Sequence, residues 1–531
     1  MSPVESIPSA GQLTQSIEEY LAQHPAAAVL EDGRVLFDMR TARYAVSEQH
    51  GRCLLQLWSE ERNLMRTVVE VQQRAQCLRL LTRRMGATKP QALELVPTCD
   101  RRTPTVRDTA RRNYQRLLER ALTRAFIGSK VDGLRSAMDL EHSFGPAYVR
   151  GRLLRGAAAD AVIGVSESES SAAIDGILTL GILWLDYCRQ HADGRRHFGG
   201  LKIIVPPGAW RTTAERIAWL NQAAADFQLF TLDERSEELA LLDFRDTGNL
   251  QSRLVHAFSP AAAIGRCQSG IDRLLELVPV GSKERVEIRP RSATETGLLL
   301  NGLEFARVRH GVAAHSFARE QEITFGAGAN ETPLTDENEG LCRDLLARLF
   351  LNRHAGGTHA DPLFRLQPER WLESRLRGKI GELLPGLRSD LMYSQVPALS
   401  TGDRGMLDLL TLDRNGRLVI IELKADEDLH LPVQALDYWI RVKALNEDRP
   451  AGPAGRPLSA FERQGYFPGA EVSPVPPRLL LAAPALRIHP ANEPVLRYFS
   501  PQVEWELIAL AEHWRTELTV VFRKRSGDTR T

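Results

Sequence analysis

Asp408, Glu422 and Lys424 combine residue types and spacing that can do chemistry. They lie in GMLDLLTLDRNGRLVIIELKA, residues 405–425. GMLDLLTLD and RLVIIELKA read as two strands joined through Asp413-Arg414-Asn415-Gly416, with glycine in the place where a type I turn enters the left-handed region. In that register 413 faces 417, and counting back sets Asp408 opposite Glu422 with Cβ atoms ~4.5–5.5 Å apart. Lys424, two residues on, projects from the same face. Leu407, Leu409, Ile421 and Leu423 make up the other, apolar face. A slip of one residue would exchange the two faces.

Two opposed carboxylates in an apolar hairpin repel unless something binds between them. A hard divalent cation does so, and Mg²⁺ (or Mn²⁺) suits one or two carboxylates completed by waters and phosphate oxygens. A neighbouring ammonium stabilises developing negative charge and assists an attacking water. The chain has 60 Arg and only 8 Lys, so a lysine here stands out. An arginine would be fixed in charge and too planar for a point contact. The competing reading is a solvated salt-bridge triad. The fourteen-residue spacing from Asp408 to Glu422 and the flanking helices favour a site.

Several elements must position this hairpin. PERWLESRLRGKIGELL reads as a helix with Pro368 in its first turn, LMYSQVP (391–397) as a strand, and the segment from Pro432 as a helix. The order acidic helix, strand, Asp strand, Glu-x-Lys strand, helix resembles the PD-(D/E)xK nuclease superfamily. Gln434 and Tyr438 match the QxxxY motif of its RecB-like branch, and DLLTLDRNGRLVIIELK is similar to the nuclease domain of NucS-type endonucleases. The resemblance covers roughly residues 365–525. It implies a restriction-endonuclease-like αβββαβ core, metal binding by Asp408 and Glu422, a water-assisting Lys424, and contacts to the scissile region from Gln434 and Tyr438. It also implies a helix carboxylate as a third metal ligand and catalytic residue. Glu369 and Glu373, an i, i+4 pair, both match that position, and Glu373 is preferred.

The remaining chain reads as an α/β multidomain protein. Residues 1–150 are expected to form an α+β region with short strands over 30–70 and a helix over 105–127. Residues 151–325 are expected to form an α/β region, with strands over 161–166, 201–207 and 227–233 and helices over 169–190 and 209–224, both folds being unrecognised. Residues 326–340 (GAGANETPLTDENEG) read as a linker ending in an Asp336/Glu339 capping box, and 341–531 as the nuclease-like domain. Segment 101–124 carries eight Arg against Asp108 and Glu119, a local excess of +6 in a chain whose net charge is +1. Arg116, Arg120 and Arg124 form an i, i+4 row that suits phosphates, or an acidic neighbour. Glu167 and Glu169 read as a polar loop, as do His354 and His359 near Asp361.

Over 531 residues, 43% hydrophobic and 25% charged, the composition is that of a soluble globular protein. No apolar run suits a membrane span, and MSPVESIPSAGQLTQSIEEYLAQH predicts no signal peptide. Six scattered cysteines without CxxC exclude a disulfide framework and a Cys-based zinc site, and fit the cytoplasm. Neither GxxxxGK[ST] nor HExxH occurs. The expectation is a Mg²⁺-dependent DNA endonuclease whose N-terminal region selects substrate, working alone, as a homodimer or with a helicase-type partner. The alternative is a catalytically inactive nucleic-acid-binding or scaffold protein with the same fold.

Overall fold

A computed structural model describes residues 9–25, 27–31, 34–39, 42–49, 51–58, 63–74, 77–83, 90–97, 104–139, 142–192, 194, 196–246, 253–312, 319–328, 332–400, 403–452 and 455–528. They form a mixed α/β protein with four named sheets. The first is antiparallel, with helix α1 (Ala10–Gln23) and strands β1 (Ala28–Glu31), β2 (Arg34–Asp38), β3 (Arg43–Gln49), β4 (Arg52–Trp58), β5 (Asn63–Arg74), β6 (Cys77–Arg83) and β7 (Gln91–Val96), in order β2-β1-β7-β6-β5-β4-β3. Burial alternates along β4, as one covered face requires. Helix α1 covers that face with Leu13, Ile17 and Tyr20, and Ser9 and Gln12 close its capping box.

The second sheet follows helix α2 (Pro104–Ala125). It comprises β8 (Lys130–Arg135), β9 (Tyr148–Arg155), β10 (Ala158–Val165), β11 (His197–Val205), β12 (Asp226–Asp233) and β13 (Glu238–Leu242) in sequential order. Helices α3 (Ser171–Asp175) and α4 (Ile177–Gln190) link β10 to β11, and α5 (Trp210–Ile217) links β11 to β12. After the two-residue β14 (Arg253–Leu254) comes α6 (Pro260–Leu277). The third sheet is β15 (Val286–Ser292), β16 (Glu295–Leu300), β17 (Leu303–Val312), β18 (Arg319–Phe325) and β19 (Thr332–Pro333), followed by α7 (Glu339–Asn352) and α8 (Pro362–Arg365).

The fourth sheet follows α9 (Pro368–Leu383). Its strands are β20 (Tyr393–Ser400), β21 (Asp403–Leu412), β22 (Leu418–Leu423), β23 (Arg478–Pro484), β24 (Trp505–Leu510) and β25 (Val520–Arg525), with β14 on the edge beside β20. Helices α10 (Leu431–Glu447) and α11 (Ala460–Arg463) lie between β22 and β23, and α12 (Asn492–Arg497) between β23 and β24.

Contacts divide the chain into two compact units, Met1–Thr103 with Phe258–Ser374 and Pro104–Ala257 with Arg375–Thr531. This division departs from the expected sequential boundaries. Local periodicity reports which face of an element is buried, not which distant element buries it. The segment 326–340 contributes β19, paired with Thr324 and Phe325 of β18. Its Asp336 bonds Arg273 at 2.6 Å, and α7 is preceded by Asn338 with no side-chain cap, so the expected capping box does not form. The second unit has one large apolar core. It takes Ile163 and Val165 of β10, Leu178 and Trp184 of α4, Leu410 and Leu412 of β21, Leu418 and Ile420 of β22, and Leu436 and Trp439 of α10. The five described cysteines are buried and free. Among the described residues no helix is long and apolar enough to cross a membrane.

The β21–β22 hairpin has the expected register. Asp413 N–H bonds Arg417 O at 2.9 Å, Leu412 pairs with Leu418, and Leu409 with Ile421. Gly416 sits at φ +75°, where a Cβ would stand 2.2 Å from the Glu471 carbonyl oxygen. Gly416→Ala combines backbone strain with a clash against main chain, so it should lower the unfolding free energy by at least about 1–3 kcal/mol. Urea unfolding checks this, and an unchanged midpoint would contradict the turn geometry.

Candidate active site

The hairpin brings Asp408 and Glu422 to the same end of the fourth sheet. One step beyond the Leu409–Ile421 pair, Asp408 lies beside Glu422. Its Oδ2 accepts the Leu423 N–H at 3.0 Å, so the carboxylate itself closes the ladder. Glu422 is 4% exposed and flanked by β23, where it pairs with Leu481. Lys424 stays on β23 through its N–H to Ala482 O at 3.1 Å, and its Nζ lies 4.0 Å from Glu422 Oε1 and 3.4 Å from Asp428 Oδ2.

Helix α10 supplies the next group. Burial first, then the negative charges of Glu422 and Asp408, push the Tyr438 phenol well above its ordinary pKa, so it stays a neutral donor facing both carboxylates. Gln434 lies one turn earlier on the same helix face, half-buried, with no side-chain hydrogen bond among the described residues. The helix is oriented by Asp437, which takes Arg216 of α5 in a two-point contact at 2.7 and 2.5 Å. Arg216 is 2% exposed and also donates to Asp175 O at 2.8 Å. Burial would lower its pKa, but Asp437 and Asp175 more than reverse that.

Glu373 has a different setting. It belongs to the first unit and is 1% exposed, with Arg289 Nη1 at 2.8 Å from one oxygen and Arg370 Nη1 at 2.9 Å from the other. Both oxygens are engaged by guanidinium groups of its own unit. Its neighbour Glu369, one turn earlier, is half-buried. Among the described residues no group of three His, Cys, Asp or Glu side chains is placed to hold a metal.

The arginine row of α2 divides in the same way. Arg120 and Arg124 both bond Glu237 in the turn after β12, and Arg124 also bonds its carbonyl at 2.9 Å. Arg116 is exposed and has no ion-pair partner among the described residues. Glu169 is held by Arg111 at 2.6 and 3.1 Å. His354 bonds Leu351 O and the Gly356 N–H, and Asp361 caps α8, so that loop is self-satisfied.

Three residues near the site escaped sequence reasoning. Gln395 of β20 lies opposite Asp408, with φ +55°, 9% exposure and Nε2 3.5 Å from Asp408 Oδ1. A left-handed glutamine within a strand is a strained backbone, of the kind concentrated at functional sites. Only its place in the strand before Asp408 could have marked it. Asp428 and His430 follow Lys424 in the loop to α10. His430 N–H bonds Asp428, and its Nδ1 lies 3.0 Å from Thr179 Oγ1 of α4.

The donor set at the hairpin is oxygen only, with no cysteine or histidine among Asp408, Glu422 and their neighbours Gln395 and Tyr438. That chemistry fits Mg²⁺ or Mn²⁺ and not a soft-ligand metal. The chain matches no protein-family model, and no curated protein matches it.

Burial, ahead of the opposing charges of Asp428 and Asp175, lowers the His430 pKa below 6.5, with Arg216 and His489 adding to the shift. The unfolded chain therefore binds more protons than the folded one just below pH 6.5, and stability falls with acidification there. One such proton gives a slope of up to about 1.4 kcal/mol per pH unit. In His430→Asn this part of the slope should vanish between pH 7 and 5.5. Equal slopes in thermal melts of both proteins would refute the assignment.

Proposed function

We propose that the chain is a metal-dependent nuclease of the PD-(D/E)xK type, hydrolysing phosphodiester bonds in DNA through its C-terminal restriction-endonuclease-like core. The observation that carries this reading is the convergence of Asp408, Glu422, Lys424 and Tyr438 at one end of the β21–β22 hairpin. The strand arrangement supports it, because β20, β21 and β22 are followed by α10 and a parallel β23, the order the resemblance implies.

Asp408 and Glu422 would hold the cation, which when bound supplies Lewis-acid stabilisation of phosphate charge and a more acidic water. The chain's own groups do the rest. The Leu423 N–H fixes the Asp408 carboxylate. The Lys424 ammonium faces the phosphate with a mobile point charge and can exchange a proton with the attacking water. The Tyr438 hydroxyl, kept neutral, can donate to a phosphate oxygen, and Gln434 can add a second polar contact. Glu373 is left out of this set, since two arginines occupy it.

Supercoiled plasmid incubated with Mg²⁺ or Mn²⁺ tests the reading. Glu422→Gln and Lys424→Ala should each reduce cleavage by at least about 10²-fold, the scale of a positioned proton-transfer group or electrostatic stabiliser. Asp408→Asn is the better aspartate variant, because alanine would strip the Leu423 N–H of its acceptor at a cost of about 1–3 kcal/mol. Full activity in Lys424→Ala would refute its role.

DNA is the proposed partner, and α2 the proposed phosphate contact. With Arg120 and Arg124 committed to Glu237, Arg116 is the residue left to face phosphate. Arg116→Gln should reduce the slope of log affinity against log salt by about 0.9, and the triple variant with Arg120→Gln and Arg124→Gln by little more, far short of the roughly 2.7 of three contacts. A full three-contact loss would show that DNA displaces Glu237.

A further inference from the structure

Two sheets of the second unit share one plan. Each is preceded by a helix, α2 or α9, and, leaving aside the short α3 and α11, runs strand, strand, strand, helix, strand, helix, strand, strand. Strands β8 to β13 lie in sequential order, as do β20 to β25. In both sheets the successive pairings run antiparallel, antiparallel, parallel, parallel, antiparallel. On this plan α4 corresponds to α10, α5 to α12, β10 to β22 and β12 to β24.

The contacts between the two halves are reciprocal, as in a two-fold dimer where residue i meets j and j meets i. Helix α10 packs on α5, and α4 packs on α12. The loops leading into the equivalent strands β12 and β24 pair with each other through Leu220 and Phe499. On either side of that bridge, Asn221 N–H donates to Tyr498 O and Ser500 N–H to Trp219 O, both at 2.8 Å. The starts of α4 and α10 also meet. His430 bonds Thr179, and a Cβ on Gly176 would lie 2.7 Å from His430 Cε1.

The chemistry of the two halves differs. In the first, the β9–β10 pairs on the face toward α4 are Arg150–Ile163 and Tyr148–Val165, with no carboxylate in either. Arg150 is 1% exposed, with its guanidinium 4.6 Å over the Phe144 ring and a bond to Ala137 O at 2.9 Å. Tyr148 donates to Ala173 O at 2.6 Å. A buried arginine, 4.0 Å from Asp139, and an aromatic ring fill this end of the sheet.

We propose that the second unit is an internal pseudodimer with one working site, so that each binding event of one chain cuts one strand of duplex DNA. This rests on the nuclease reading of Asp408, Glu422 and Lys424. A two-fold dimer presents its site twice and can cut both strands. This chain keeps the pairing of halves but the acidic hairpin only in the second.

Two measurements on the full chain test it. The first follows supercoiled plasmid at limiting protein with Mg²⁺. Open circles should account for most of the converted DNA, with linear molecules appearing only after a lag. The second follows Mn²⁺ binding by electron paramagnetic resonance without DNA. Binding should be lost in Asp408→Asn and unchanged in Glu167→Gln, a change in the loop after β10. Linear DNA arising in step with open circles would overturn the single-site inference and leave the nuclease reading standing. So would Mn²⁺ binding that survives Asp408→Asn and falls in Glu167→Gln. Inert DNA together with Mn²⁺ binding that depends on Asp408 would overturn the nuclease reading and keep the single site. Inert DNA without Mn²⁺ binding would overturn both.

Discussion

The register of β21 against β22 is the constraint on which the candidate site depends. Strand side chains alternate with a period of two, so a slip of one residue would carry Asp408 to the opposite face, among the buried Leu407 and Leu409, and put a leucine in its place. The register is held at both ends. At the turn, the Asp413 carboxylate accepts the N–H groups of Asn415 and Arg417, and the Gly416 carbonyl takes the Ser473 N–H at 2.8 Å. At the open end Asp408 takes the Leu423 N–H. One carboxylate therefore has a structural and a chemical duty, and its position is set by the ladder it terminates.

The opposing wall of the site depends on a charge pair. Tyr438 can face Glu422 and Asp408 only if α10 keeps its rotation about its own axis, and the adjacent Asp437 is clamped by Arg216. A buried ion pair of this kind adds little net stability, but removing one partner leaves an uncompensated buried charge. Its value is orientation. Arg216 comes from the half whose own hairpin has no carboxylate in the Arg150–Ile163 and Tyr148–Val165 pairs, so that half still helps shape the site of the other.

Much of this was legible from periodicity and turn chemistry. The hairpin, its two faces, the helix over 105–127 and the strands near 161–166, 201–207 and 227–233 all follow from local pattern, and the described elements fall at those places. What was not legible is long-range. The helix expected over 209–224 stops at Ile217 because Leu220 and Asn221 are taken by the Phe499 loop. Gly176 interrupts the helix expected over 169–190 where His430 approaches. Arg120 and Arg124 find Glu237 more than a hundred residues away, and nothing near Gln395 announces its left-handed backbone. Glu373 matched a motif position by local spacing, but its partner Arg289 comes from β15, 84 residues earlier.

The correspondence between the two halves was invisible for a related reason. Residues 258–374, assigned to the other unit, stand between them, so the repeat is neither tandem nor short. Within each half the sheet is specified by apolar runs, AVIGV in β10 and LVIIEL in β22, KIIV in β11 and LLLAA in β23. Strands buried on both faces ask only for branched or aliphatic side chains, and many sequences meet that demand equally well. The identities that could betray a common plan would lie at positions doing something besides filling space. Those are the positions where the halves differ, the pairs Arg150–Ile163 and Tyr148–Val165 in one against Asp408 and Glu422 in the other. The likeness therefore survives in strand order and reciprocal contacts, where packing enforces it, and disappears from the residues, where chemistry separates the two.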